Sequence, residues 1–130
     1  MTDQLPKKVL IVEDDQYLRD LYVEILEAEH YVVENAADGM EDYQKMYQGG
    51  YDLVLLDIML PQMDGLKILQ KLKNETPPLK PNLKVVILSN LGQESAITQA
   101  LGLGASGYMI KSEHTPDQVI AKVKGYLAEP

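Results

Sequence analysis

The sequence predicts an α/β domain built on a doubly wound parallel sheet of five strands flanked by five helices. Five short apolar runs, at Val9–Val12, Tyr31–Val33, Leu53–Leu56, Val85–Leu88 and Tyr108–Ile110, alternate with segments whose apolar residues recur at helical spacing. The strand runs are apolar almost throughout, the pattern of a parallel sheet covered on both faces. Right-handed crossovers leave few topologies, and five strands favour the order 2-1-3-4-5.

Each element has its own signal. Val9–Val12 stops at Glu13-Asp14-Asp15, after which Leu18, Leu21, Tyr22, Ile25 and Leu26 mark a helix. Tyr31-Val32-Val33 reads as a short strand, followed by a helix over Asp38 to Tyr47 that Gly49-Gly50 ends. Leu53 to Leu56 runs into Asp57, and Leu66, Leu69 and Leu72 carry the helix beyond the Pro61 turn, which Asp64-Gly65 opens. The proline-rich stretch Thr76 to Asn82 reads as a loop. Val85 to Leu88 runs into Ser89, and Ile97, Ala100 and Leu101 mark a weaker helix that stops in Gly102-Leu103-Gly104. Tyr108-Met109-Ile110 ends at Lys111, and Val119, Ile120, Val123 and Leu127 face a last helix, with Thr115 as N-cap and Pro116 as its first residue.

Composition narrows the class. At 130 residues there is room for one core, with residues 1–7 as a flexible segment and 8–128 as the domain. Hydrophobic residues at 45% and charged residues at 25% are ordinary globular values. No apolar run approaches the ~20 residues of a bilayer span, so membrane insertion is not expected. The amino terminus reaches its charges before any apolar stretch and Cys is absent, which points to the cytoplasm. The net charge of −8 argues against direct nucleic-acid binding and suits a cation or a basic partner.

Glu13-Asp14, Asp57, Ser89 and Lys111 each follow directly on a strand. The carboxyl ends of parallel strands share one edge, so these groups converge in space although they lie far apart in sequence. Three carboxylates together repel one another unless a cation neutralises them. Mg²⁺ takes oxygen ligands and commonly pairs one or two carboxylates with a phosphoryl oxygen. Lys111 and Ser89 suit a phosphoryl group held nearby, and Asp57 is a carboxylate able to act as nucleophile and form an aspartyl phosphate.

Taken singly, each residue has a plainer reading. Asp14 or Asp15 alone would be a helix N-cap, a role Asp15 is expected to keep. Ser89 could cap the next helix, Lys111 could be a solvated lysine, and Tyr108 a fixed aromatic. His30 and His114 lack metal-ligand spacing and read as solvated, and Tyr43 and Tyr47 read as helix packing.

The motifs Val9 to Asp15, Leu53 to Asp57 with Met59-Leu60-Pro61-Gln62-Met63-Asp64-Gly65, Ser89, and Gly104 to Lys111 resemble the receiver domain of two-component response regulators, from Val9 to Leu127. The resemblance implies a flavodoxin-like fold with the same strand order and a single-domain phosphorelay switch. By it, Asp57 is the phosphoacceptor, Asp14 a direct Mg²⁺ ligand, Glu13 a ligand acting mostly through water, and Met59 a backbone-carbonyl ligand. Lys111 pairs with the phosphoryl group, Ser89 reaches for it, and Tyr108 turns inward as Ser89 moves. The donor is a histidine kinase or histidine phosphotransfer protein. No output module is visible, so the switch is expected to act on a separate, unidentified target.

Two positions depart from the family pattern. Proline usually follows the site lysine through a cis bond, but Ser112 stands here, and a cis bond without proline costs roughly 3 to 4 kcal/mol. That favours trans and puts the reach of Lys111 in question. Asn90 follows Ser89 where a smaller residue is usual, and could crowd the phosphoryl group. Met59 and Leu91, two residues after Asp57 and Ser89, are apolar and expected to shield an aspartyl phosphate from water, giving a long-lived signal. Three rivals carry less. An Asp-nucleophile phosphohydrolase needs a second Asp where Met59 stands, a flavin binder needs a phosphate-cradling loop where Glu13-Asp14-Asp15 stands, and a scaffold indifferent to phosphorylation has no use for the intact constellation.

Overall fold

The computed structural model describes residues 5–75 and 81–129. The expected flexible segment 1–7 lies outside the described residues for 1–4, and the Thr76–Asn82 loop for 76–80. Five strands, β1 (Lys8–Val12), β2 (Val32–Ala36), β3 (Leu53–Asp57), β4 (Val85–Ser89) and β5 (Gly107–Ile110), form one parallel sheet in the order β2-β1-β3-β4-β5. Between and after them run α1 (Gln16–Ala28), α2 (Gly39–Gln48), α3 (Gly65–Asn74), α4 (Glu94–Gly102) and α5 (Pro116–Ala128).

Successive strand residues point to opposite faces, so the apolar runs build two cores. Val9, Ile11, Leu53, Leu55, Val86 and Leu88 pack with Tyr22 and Leu26 of α1 and Val119, Ile120, Val123 and Leu127 of α5. Leu10, Val12, Val54, Leu56 and Ile87 pack with Met46 of α2, Ile68 and Leu69 of α3, and Ala100 of α4. Every residue of β3 is buried, as expected for the central strand. Its carboxyl end therefore sits at the middle of the sheet edge.

Capping fixes where the helices start on that edge. Asp15 Oδ1 accepts from Leu18 N–H at 3.1 Å, Asp38 and Asp64 cap α2 and α3 in the same way, and Thr115 with Gln118 forms a capping box ahead of Pro116. Gly65 lets α3 begin against β3, since a Cβ there would lie 2.9 Å from the carbonyl oxygen of Asp57.

The second strand lies further along than its apolar residues suggest. Tyr31 precedes it, and the ladder continues through Glu34, Asn35 and Ala36, paired with Leu10, Ile11 and Val12. An edge strand is half solvated, so polar residues sit in it without cost while β1 dictates its length. Among the described residues no peptide bond is cis, so Lys111–Ser112 is trans, and Lys111–Glu113 forms a single 3₁₀ turn.

Candidate functional site

Glu13, Asp57, Ser89 and Lys111 do converge. Asp57 ends β3, Glu13 follows β1, Ser89 ends β4 and Lys111 follows β5. Lys111 Nζ donates to Asp57 Oδ2 at 2.7 Å, which answers the question of its reach with a trans bond after it. The same ammonium lies 2.7 Å from Glu13 Oε1, too poorly aligned for a directed hydrogen bond and therefore a close ionic contact. Asp57 Oδ1 accepts from Met59 N–H at 3.0 Å, and Glu13 Oε2 accepts from Asp15 N–H at 3.1 Å.

Burial makes these charges matter. Glu13 and Asp57 are buried and Asp14 is exposed. Burial, with Asp57 adding repulsion, raises Glu13 to about 7 against the opposing pull of Lys111. Burial works against the Lys111 ammonium, but its contacts with Asp57 and Glu13 outweigh that and raise its pKa. One ammonium thus meets two buried carboxylates, and burial chiefly, with Asp57 beside it, keeps Glu13 raised.

One oxygen from each of Glu13, Asp14 and Asp57 lies within 4.8 Å of the other two. Oxygens sharing one octahedral Mg²⁺ stand about 3 to 4 Å apart, close to the spacing of this set. An all-oxygen donor set with surplus negative charge fits a hard divalent cation. Ser89 Oγ is buried on the strand next to Asp57 and has no hydrogen-bond partner among the described residues. A buried hydroxyl left so costs about 1–3 kcal/mol. It does not cap α4, whose N-cap is Gln93.

Tyr108 points outward, 48% exposed, in a groove that it lines with Leu91, Ile97, Leu101 and Ile110. Met59 and Leu91 are 56% and 65% exposed. Asn90 is exposed and its N–H donates to Gln93 Oε1 at 2.7 Å. Tyr43 and Tyr47 pack as expected, ring centroids 6.0 Å apart.

Two residues, Arg19 and Asp42, escape the sequence reading, and a third, His114, corrects it. Arg19, the sole arginine of the chain, donates from Nη1 to the carbonyl oxygen of Glu13 at 2.8 Å and reaches that of Asp14 at 3.4 Å. It ties the acidic turn to α1, and its uniqueness in an acidic chain was the signal that could have found it. His114 is not solvated: it is half-buried, with Nδ1 3.0 Å from the carbonyl oxygen of Ile110. Asp42 on α2 is buried, neither oxygen has a hydrogen-bond partner among the described residues, and burial, aided by Glu41, raises it to about 8. Nothing in its sequence neighbourhood, flanked by Glu41 and Tyr43, announces that.

An open parallel α/β sheet with three acids, a hydroxyl and an amine at its carboxyl edge is an arrangement suited to a cation and a phosphoryl group. The chain belongs to the response regulator receiver domain family, which matches residues 9–124. It is similar to the chemotaxis protein CheY of Treponema pallidum, 40% identical over 82% of this chain and 73% of that one. It is also 31% identical to the transcriptional regulatory protein SrrA of Staphylococcus aureus over 95% of this chain, which spans about half of SrrA, 48%. The crystal structure of a CheY-like receiver domain protein from Methanospirillum hungatei superposes with a TM-score of 0.81 at 32% identity, covering 95% of this chain and 94% of that one. The protein is thus a receiver domain, a phosphoacceptor switch of two-component signalling.

Proposed function

We propose that Asp57 takes the phosphoryl group, from the phosphohistidine of a histidine kinase or histidine phosphotransfer protein. The observation that carries this is the Asp57 carboxylate itself, buried at the end of the central strand between the Met59 N–H and the Lys111 ammonium. In the transfer an Asp57 oxygen bonds to phosphorus as the donor's P–N bond breaks, and the imidazole leaves with that electron pair.

Glu13, Asp14, Asp57 and the Met59 carbonyl would hold Mg²⁺. Bound there, the ion supplies positive charge that lets phosphoryl oxygens approach a cluster of carboxylates. Lys111 keeps its ammonium on the same group, exchanging its Asp57 contact for a phosphoryl oxygen. Ser89 Oγ then gains the acceptor it lacks, which gives phosphorylation a favourable local consequence. As Ser89 closes on the phosphoryl group, Tyr108 leaves the surface for the space beside it. The face of α4, β5 and α5 changes shape for a downstream protein partner. The same residues let the domain take phosphate from a small donor and lose it to water without a second enzyme. A scaffold indifferent to phosphate has no need of a buried hydroxyl and acids arranged this way.

Incubation with acetyl phosphate and Mg²⁺, followed by mass spectrometry, tests this directly. Modification at Asp57, absent in excess EDTA, is expected. Labelling elsewhere, or in EDTA, overturns it.

A further inference from the structure

Lys111 needs a fixed starting point to place its ammonium on two carboxylates, and Ser112 cannot supply the rigid φ of a proline. The structure shows another constraint. The carbonyl oxygens on either side of Lys111 both face His114: the Ile110 carbonyl lies 3.0 Å from Nδ1, and the Lys111 carbonyl accepts from the His114 N–H at 3.3 Å. A carbonyl carries no proton, so Nδ1 must donate, which requires hydrogen on that nitrogen. His114 is itself anchored. It directly precedes Thr115, whose side chain accepts from Gln118 N–H while Gln118 Oε1 accepts from Thr115 N–H, and the helix so capped is buried through Val119, Ile120, Val123 and Leu127.

We infer that His114 is a positioning residue for Lys111, clasping the two carbonyls that flank it and so carrying the rigidity of α5 to the ammonium at Asp57 and Glu13. Among the described residues its imidazole makes its hydrogen bond to the Ile110 carbonyl and none to Asp57, Glu13 or the Lys111 ammonium. It acts through backbone geometry: a rotation at Ile110 or Lys111 moves a side chain of four methylenes away from its partners. The effect on signalling rests on the reading that Lys111 engages the phosphoryl group, whereas the clasp can be tested without phosphate.

The experiment is lysine footprinting by reductive methylation, with Lys84 as internal control because its ammonium is also held, by the carbonyl of Glu129 at 3.2 Å at the far edge of the sheet. Three variants are compared with the intact chain: His114→Ala, His114→Asn and His114→Asp. Asn and Asp have nearly the same shape, but only Asn offers an N–H at the place of Nδ1–H. Losing one such hydrogen bond is expected to raise Lys111 methylation about fivefold in the Ala and Asp variants, while Asn stays within about twofold of the intact chain. Lys84 methylation should not change. The same ordering is expected in the rate of labelling by acetyl phosphate.

Unchanged Lys111 methylation in the Asp variant overturns the inference, as does an Asn variant as reactive as Asp. A parallel rise at Lys84 overturns it too, since that reports general loosening and not a local clasp. If Lys111→Ala is phosphorylated at the full rate, the role of Lys111 in phosphoryl transfer fails, while the methylation pattern still decides whether His114 clasps the backbone.

Discussion

The carboxyl edge of the sheet and the inner side of α2 each bury an aspartate, Asp57 at 2% exposure and Asp42 at 0%. Asp57 is met by an ammonium, a backbone N–H and two further carboxylates. Asp42 has no hydrogen-bond partner among the described residues, and its value of about 8 means that it is carried as a neutral acid near neutral pH. Equal burial thus leads to opposite chemistry. One carboxylate is surrounded by groups that can exchange partners when a phosphoryl group arrives. The other is silenced by protonation. Partners, not burial, separate a reactive acid from an inert one.

The largest expected effect comes from exchanging each acid for its amide. Asp57→Asn should abolish labelling by acetyl phosphate, whereas Asp42→Asn should label at the rate of the unaltered domain, both read by mass spectrometry. Equal loss in the two variants would erase the distinction.

Next is the metal side of the edge. Asp14→Ala is expected to remove labelling and to weaken Mg²⁺ binding at least tenfold, measured by amide shifts in a Mg²⁺ titration, because the proposed site would lose one of its two direct carboxylate ligands. A titration curve unchanged from the intact chain would exclude Asp14 as a ligand.

Asp42 has its own signature. Its folded value lies above the unfolded reference of 3.8, so the folded chain binds more protons than the unfolded chain between that value and about 8. Stability therefore falls as pH rises through this window, and the loss is complete above it. Urea unfolding of the unaltered domain, minus that of Asp42→Asn, should decline by roughly 2–5 kcal/mol between about pH 4 and pH 8.5. A flat difference would mean that Asp42 is solvated in the folded state.

Arg19→Ala releases the carbonyls of Glu13 and Asp14 and should weaken Mg²⁺ binding about three- to tenfold, the scale of one charge-assisted hydrogen bond acting indirectly. The smallest effect is expected at the rim. A Met59→Asn, Leu91→Glu double variant should lose phosphate a few-fold faster than the intact domain after donor removal, since polar groups there can hold a water in line with the aspartyl phosphate. Equal decay rates would show that the two exposed apolar side chains do not shield the site.

The pattern of apolar runs by itself determined the five-stranded parallel sheet and which edge would carry Glu13, Asp14, Asp57, Ser89 and Lys111, whereas the strand order was only favoured by it and rested also on the resemblance to receiver domains. Such patterns record burial along a single element, and the carboxyl ends of parallel strands must share an edge. Where β2 ends was decided by its pairing with β1 across the sheet. That Ser89 has no partner among the described residues, that Asp42 stays protonated, and that Arg19 and His114 hold the turns bearing Asp14 and Lys111 were likewise decided only in the folded chain. Hydrogen-bond partners and desolvation come from elements brought together by folding, and residue type at one position carries no record of what will face it.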